Sequence, residues 1–300
     1  MASKEYAKVR ELFKPGLAVA SDPTMLVREK MTATHPTAKP KDIIERLETI
    51  AGVPCAWVTT PDAGDTDRVV LLVHGGAFVS TKLPHYIPYC AGLSRHIPAR
   101  FLVHEYSLAP EARFPTQIDE TCAVYRGLLD QGIAPERIAF AGDSCGGGIA
   151  VASLCTLRDA GTPLPACFMG FTPWFDLEQE GEAATKPMGV DPFVNRDWIR
   201  ARGRDYVGPD GDVRAPLVSP LHADLSGLPP MFLSVGTVDT TADDSTRLAQ
   251  RAGRANVSVV LDVNAEMIHG FHGLAAMFPE GRASLRRAGA FLREHVPDAV

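Results

Sequence analysis

The stretch "IAFAGDSCGGGIAVASL", Ile138 to Leu154, sets Gly-Asp-Ser-Cys-Gly-Gly-Gly between an apolar run and an amphipathic one. Glycine loses more backbone freedom on folding than any other residue, so a cluster of glycines between regular elements needs a reason. Gly142 to Gly146 fits G-x-S-x-G. The lead-in "IAFAG" reads as a buried strand and the follow-on "GGGIAVASL" as a helix. That is the setting of a nucleophile elbow, in which a serine sits on a sharp, strained strand-to-helix turn with glycines around it to avoid clashes. The helix start behind the serine favours developing negative charge. The pentapeptide alone recurs by chance, and an ordinary glycine-rich turn is the plain alternative. The flanking strand and helix make the pattern specific.

Outward from this point the chain alternates. "PCAWVTT", "RVVLLVH", "RFLVHEY", "RIAFAG", "ACFMGF", "PMFLSVG" and "VSVVLDV" read as strands. Their near-continuous apolar character suits strands buried on both faces. Between them "TQIDETCAVYRGLLDQG", "GGGIAVASLCTLRDAG", "ADDSTRLAQRAGRAN" and "GRASLRRAGAFLREHV" carry helical periodicity, and the first two end on the glycine that commonly stops a helix. Such alternation implies an α/β fold with a mainly parallel sheet covered by helices. Two segments depart from it. Residues 1–45 are helix-rich, and residues 174–216 hold no convincing strand while mixing Trp174, Phe175, Met188, Phe193 and Trp198 with many charges. Long insertions after a sheet strand are commonly lids or binding segments. A surface excursion without function is the alternative.

Composition narrows the function. The 300 residues are 45% hydrophobic, enough for a full core, and the net charge of −6 with scattered basic residues gives no footprint for nucleic acid or an anionic membrane. No apolar run approaches the ~20 residues of a membrane span, and "MASKEYAKVRELFKPG" lacks a signal pattern, so the expected location is cytoplasmic. Six cysteines (Cys55, Cys90, Cys122, Cys145, Cys155, Cys167) form no CxxC pair and read as reduced, buried thiols. Cys/His clusters at ligand spacing are absent from the sequence, so neither a metal nor a cofactor is expected.

A serine nucleophile needs donors for an oxyanion, a base and an acid. "HGGAF", residues 74–78 after "RVVLLV", is a side-chain-poor loop whose backbone N–H groups can approach a substrate oxygen. Loops of this type form an oxyanion hole with the N–H that follows the nucleophile, here Cys145. The acid follows the serine along the chain and the histidine comes last. Asp239 stands just past the strand "MFLSVG", while Asp243 and Asp244 open the next helix and suit capping. "VNAEMIHGFHG" offers two histidines. His269, beside Gly270, is preferred, and His272 is the second candidate. Asp143 reads as an acceptor that stabilises the elbow. Glu111 and Arg113, in the Pro-framed loop "YSLAPEARFP", are available for an ion pair.

Together "HGGAF", "YSLAPEARFP", "GDSCGGG", "SPLHADLSGLPPMFLSVGTVD" and "IHGF" resemble the bacterial hormone-sensitive-lipase-like carboxylesterases, from about residue 46 to the C-terminus. The resemblance implies an α/β-hydrolase core at 46–173 and 217–300, with a helical cap built from 1–45 and the insertion 174–216. It implies Ser144, Asp239 and His269 as a catalytic triad, with Gly75, Gly76 and Ala77 joining Cys145 in the oxyanion hole. Ala77 stands where the family often has a third glycine, and "DTTADD" replaces the family's usual Asp-x-Leu-x-Asp/Glu. The expected reaction is hydrolysis of small to medium acyl esters. Lactone opening is the nearest alternative, and a non-catalytic ligand-binding receptor is the alternative of another class. Phe78, Met188, Phe193 and Trp198, with Trp174, Met25 and Leu26, are the expected pocket residues. A homodimer through a sheet edge or a late helix is a further possibility.

Overall fold

The seven apolar runs form strands, and an eighth strand precedes them. The computed structural model describes residues 2–13, 18–185 and 190–297. Its strands are β1 (Ile44–Ile50), β2 (Val53–Thr59), β3 (Val69–Val73), β4 (Arg100–His104), β5 (Ile138–Asp143), β6 (Cys167–Phe171), β7 (Met231–Gly236) and β8 (Val259–Asn264). They make one sheet in the order β1-β2-β4-β3-β5-β6-β7-β8. β1, β2 and β4 pair antiparallel, and every pair from β4 to β8 is parallel. The α/β-hydrolase architecture expected from the sequence is the one observed.

Period-2 side-chain geometry divides each central strand between two cores. Val69, Leu71 and Val73 of β3 face a cluster that includes Ile118, Cys122 and Tyr125 of α4 (Thr116–Asp130), Ile149 and Leu154 of α5 (Cys145–Asp159) and Leu248 of α7 (Ala242–Arg254). Val70 and Leu72 face the opposite cluster, with Tyr86 and Ile87 of α3 (Leu83–Ser94) and Leu285 and Leu292 of α8 (Pro279–His295). The six cysteines are free and buried. None of the described helices is long and apolar enough to cross a membrane.

Three helices lie outside this layering: α1 (Lys4–Leu12), α2 (Thr24–Thr34) and α6 (Arg196–Val207). The N-terminal and inserted segments hold each other through Asn195 Nδ2 donating to the Ala18 carbonyl at 2.7 Å and Thr24 Oγ1 donating to Asp205 Oδ2 at 3.2 Å. Arg28 of α2 fastens them to the core, donating to the carbonyls of Val79 (2.6 Å) and Ala109 (2.8 Å) and to Glu111 Oε1 (2.7 Å). Glu111 therefore pairs with Arg28 and not with its sequence neighbour Arg113. β1 begins at Ile44 and so straddles the boundary expected between residues 45 and 46.

Asp243 and Asp244 correct another expectation. Neither side chain caps the helix they open. Asp244 Oδ2 accepts the backbone N–H groups of Phe175 (2.7 Å) and Asp176 (3.0 Å), and Asp243 Oδ2 accepts that of Ala183 (2.6 Å). Both carboxylates hold the chain leaving β6, whose N–H groups have no ladder to join.

Candidate active site

β5 delivers the chain to Ser144, whose φ of 53° and ψ of −127° are an unfavourable backbone state for a residue with a side chain. The corner is pinned from three sides. Ser144 N–H donates to the Phe171 carbonyl at 3.0 Å, and its own carbonyl accepts the N–H groups of Gly147 (3.0 Å) and Trp174 (2.9 Å). Gly146 is required here, because a Cβ would collide with the Val73 carbonyl oxygen at the end of β3. The strain and the glycine belong to one device that brings α5 tight against the neighbouring strand and leaves the serine hydroxyl at the C-terminal end of β5.

Ser144 Oγ lies 2.9 Å from Nε2 of His269, and Nδ1 of His269 lies 3.0 Å from Oδ1 of Asp239. Asp239 is fully buried, and the same oxygen accepts the N–H (2.8 Å) and hydroxyl (2.9 Å) of Thr241. Burial works against charging the imidazole. The Asp239 carboxylate, through its charge and its hydrogen bond, outweighs that cost and raises the His269 pKa above the ordinary histidine value, with smaller contributions from Asp191 and Asp143. The second histidine is elsewhere: His272 Nε2 meets Ser234 Oγ at 2.9 Å, and burial depresses its pKa to about 3.

The loop after β3 is as strained as the elbow. Gly76, Ala77 and Phe78 all have positive φ (111°, 54° and 68°). Gly76 and Ala77 border the same cavity as Ser144. Among the described residues no hydrogen bond takes the N–H of Gly76 or Cys145, while the N–H of Ala77 faces the Cys145 thiol. The N–H of Gly75 differs: it donates to Tyr86 Oη at 2.8 Å, which removes it from the expected set. Tyr86 in turn donates to Asp143 Oδ2 at 2.7 Å, and Tyr89 donates to Oδ1 at 3.0 Å. Asp143 is thus the expected elbow acceptor, and through Tyr86 it also supports the loop. Cys145 contributes its side chain as well, since Sγ accepts the Phe78 N–H at 3.2 Å. Burial pushes its thiol pKa up to about 12, so the thiol stays protonated at neutral pH.

The cavity over Ser144 is walled by Val27 and Met31 of α2, Trp174, Phe193, Val194 and Trp198, among others. Of the expected pocket residues, Phe193, Trp198 and Trp174 line this cavity. Phe78 is not: it lies behind the wall, stacked on Tyr206 with ring centroids 4.1 Å apart. Met25 and Leu26 point outward, Met25 being 68% exposed, and their helix neighbours Val27 and Met31 take the wall. Met188 lies outside the described residues. Sequence reasoning missed Asp191, a buried carboxylate that touches the backbone of His269. Its one local signal was a lone acid before Pro-Phe in an insertion rich in acids.

The fold and this geometry agree with what the chain is similar to. A family model described as the alpha/beta hydrolase fold matches residues 70–273, and the chain belongs to that family. An acetyl-hydrolase of Streptomyces hygroscopicus is 34% identical over 298 residues, spanning 98% of this chain and 97% of the relative. A solved esterase from the bacterial hormone-sensitive lipase family is 36% identical, spans 99% of both chains and superposes with a TM-score of 0.88. EstE5, solved after soaking with ethyl alcohol, gives a TM-score of 0.91 at 32% identity, spanning 98% of this chain and 99% of its own.

Proposed function

We propose that this carboxylesterase cleaves small to medium acyl esters through an acyl-enzyme formed on Ser144. The observation that carries the reading is the continuous hydrogen-bonded line from Ser144 Oγ through His269 to Asp239, with Gly76 and Ala77 bordering the same cavity as the serine. His269 Nε2 takes the hydroxyl proton as Oγ bonds to the ester carbonyl carbon. The carbonyl oxygen becomes an oxyanion held by the N–H groups of Gly76, Ala77 and Cys145. Asp239 keeps the Nδ1–H tautomer and stabilises the imidazolium. Collapse breaks the C–O bond to the alcohol, which leaves with the proton from Nε2. Water then repeats both steps on the acyl-serine, returning the acid and the free hydroxyl.

The apolar cap wall supports an acyl group of modest size, and the name of the Streptomyces relative points to acetyl. Lactone opening uses the same line of groups, the alcohol simply staying attached to the acyl chain. A p-nitrophenyl ester series of increasing acyl length, run beside a lactone panel on wild type and Ser144→Ala, tests the reading. Turnover lost by ~10⁴-fold or more in the variant is the expected result. Near-wild-type turnover by Ser144→Ala overturns it, and turnover confined to lactones replaces the ester by its cyclic counterpart.

A further inference from the structure

Asp191 belongs to the insertion, yet its carboxylate ends on the backbone of both loops that carry the histidine and the acid. Oδ2 accepts the N–H of His269 at 3.1 Å and that of Thr240, next to Asp239, at 3.3 Å. Oδ1 accepts the N–H groups of Phe193 at 2.9 Å and Val194 at 3.4 Å, both wall residues of the acyl cavity. One buried side chain therefore joins three segments that are remote in sequence. Thr240 Oγ1 adds a parallel tie to the Val194 carbonyl at 3.0 Å.

We propose that Asp191 is a positioning residue for the reaction: it fixes the pocket wall and the His269–Asp239 pair in one frame and places a second negative charge behind the imidazole. The proposal rests on reading Ser144, His269 and Asp239 as the catalytic line. Four N–H donors on a carboxylate are charge-assisted bonds, roughly twice as strong as neutral ones, and they act where water is excluded. A capping role inside the insertion would need only Phe193 and Val194. The contacts to Thr240 and His269 have no use in that role.

The charged and titratable groups facing Asp191 are Asp239 and His269 from the core, and Tyr6 with Arg10 from α1, where Arg10 Nη2 donates to the Val190 carbonyl at 3.1 Å. Burial and then the Asp239 charge push the Asp191 carboxyl up to about 6, while His269 and the N–H groups pull the other way. Its charge is among those that raise the His269 pKa. The sign follows: removing the charge lowers that pKa, so the base form survives to lower pH.

The test is the pH profile of kcat/KM for p-nitrophenyl acetate in wild type, Asp191→Asn and Ser144→Ala. Asn keeps the volume but sets an NH₂ against N–H donors and removes the charge. The expected result is kcat lowered by roughly 10-fold to 100-fold, with the acid limb moved down by roughly one pH unit. A merely structural residue would lower Tm and leave the limb in place, and an unmoved limb in folded Asp191→Asn overturns the proposal. If that variant does not fold, Asp191→Ser, which also removes the charge but keeps a small acceptor, takes its place, and an unmoved limb in that folded variant overturns the proposal. An active Ser144→Ala instead overturns the triad reading on which the proposal rests, so the two failures are distinct.

Discussion

The centre of the sheet and the segments that cover its edge are held by different forces. β3, β5 and β6 are buried at every residue and pair on both sides. In α1 only Tyr6 and Val9 are buried, and in α2 only Val27. The centre is stabilised by packed apolar area. In the cover α6 packs Trp198, Ile199 and Tyr206 into the core, while α1 and α2 bury little and the segments are joined by polar ties: Arg28 to Val79, Ala109 and Glu111, Asn195 to Ala18, and Asp191 to the two loops. Chemistry that needs fixed distances sits on the first region, while the pocket wall belongs mostly to the second. Changes in the centre should therefore strike kcat or folding, whereas changes in the cover should strike KM and pocket shape, except at Asp191, which reaches the loops of His269 and Asp239 and so strikes kcat.

The largest effect is expected where the centre meets the reaction. Asp239→Asn presents an amide to Nδ1 and favours the wrong tautomer, and kcat should fall by roughly 10⁴-fold with the fold intact. Steady-state kinetics beside a thermal melt checks this, and a loss below 10-fold on the order of magnitude expected for a remote residue would remove Asp239 from the line. Gly146→Ala strikes folding instead, because the added Cβ meets the Val73 carbonyl, which a strand cannot move. Urea unfolding should show a loss of about 1–3 kcal/mol or more. A smaller loss would mean that α5 can shift, contrary to a rigid centre. Arg28→Ala is the mildest. With Arg28 about a fifth exposed, losing its ties should cost about 1–2 kcal/mol and raise KM several-fold while kcat changes less. A kcat loss as large as the KM change would erase the distinction between the two regions.

The same division governs what was legible in the sequence. The elbow was legible because strand, glycine-serine turn and helix are contiguous, and a local pattern encodes a local strain. Ser144, Asp239 and His269 were read from chain order, with His269 preferred to His272 for the glycine beside it, and the fold sets His272 against Ser234. β1 went unread because "IERLETI" is an edge strand, mostly exposed and charged, and its hairpin turns on Ala51-Gly52, both at positive φ, without the usual Asn-Gly. α3 went unread because it holds prolines at positions 84 and 88, and burial against the sheet outweighs their low helix propensity. Phe78, Met25 and Leu26 were misplaced for one reason: which face of a loop or helix meets the cavity depends on docking. Gly75 looked like its neighbours until Tyr86 was seen to take its N–H. Asp191 and Glu111 find their partners about 80 residues away, and no spacing rule reaches that far.

The measurement that bears most directly on the account is rapid mixing of wild type with p-nitrophenyl acetate, quenched in acid and followed by mass analysis of the peptide carrying Ser144. An acyl-serine mechanism predicts a burst of p-nitrophenol matched by one acetyl group on that peptide, with both absent in Ser144→Ala. Turnover with no acetyl group on Ser144, or with the group on another residue, would contradict it.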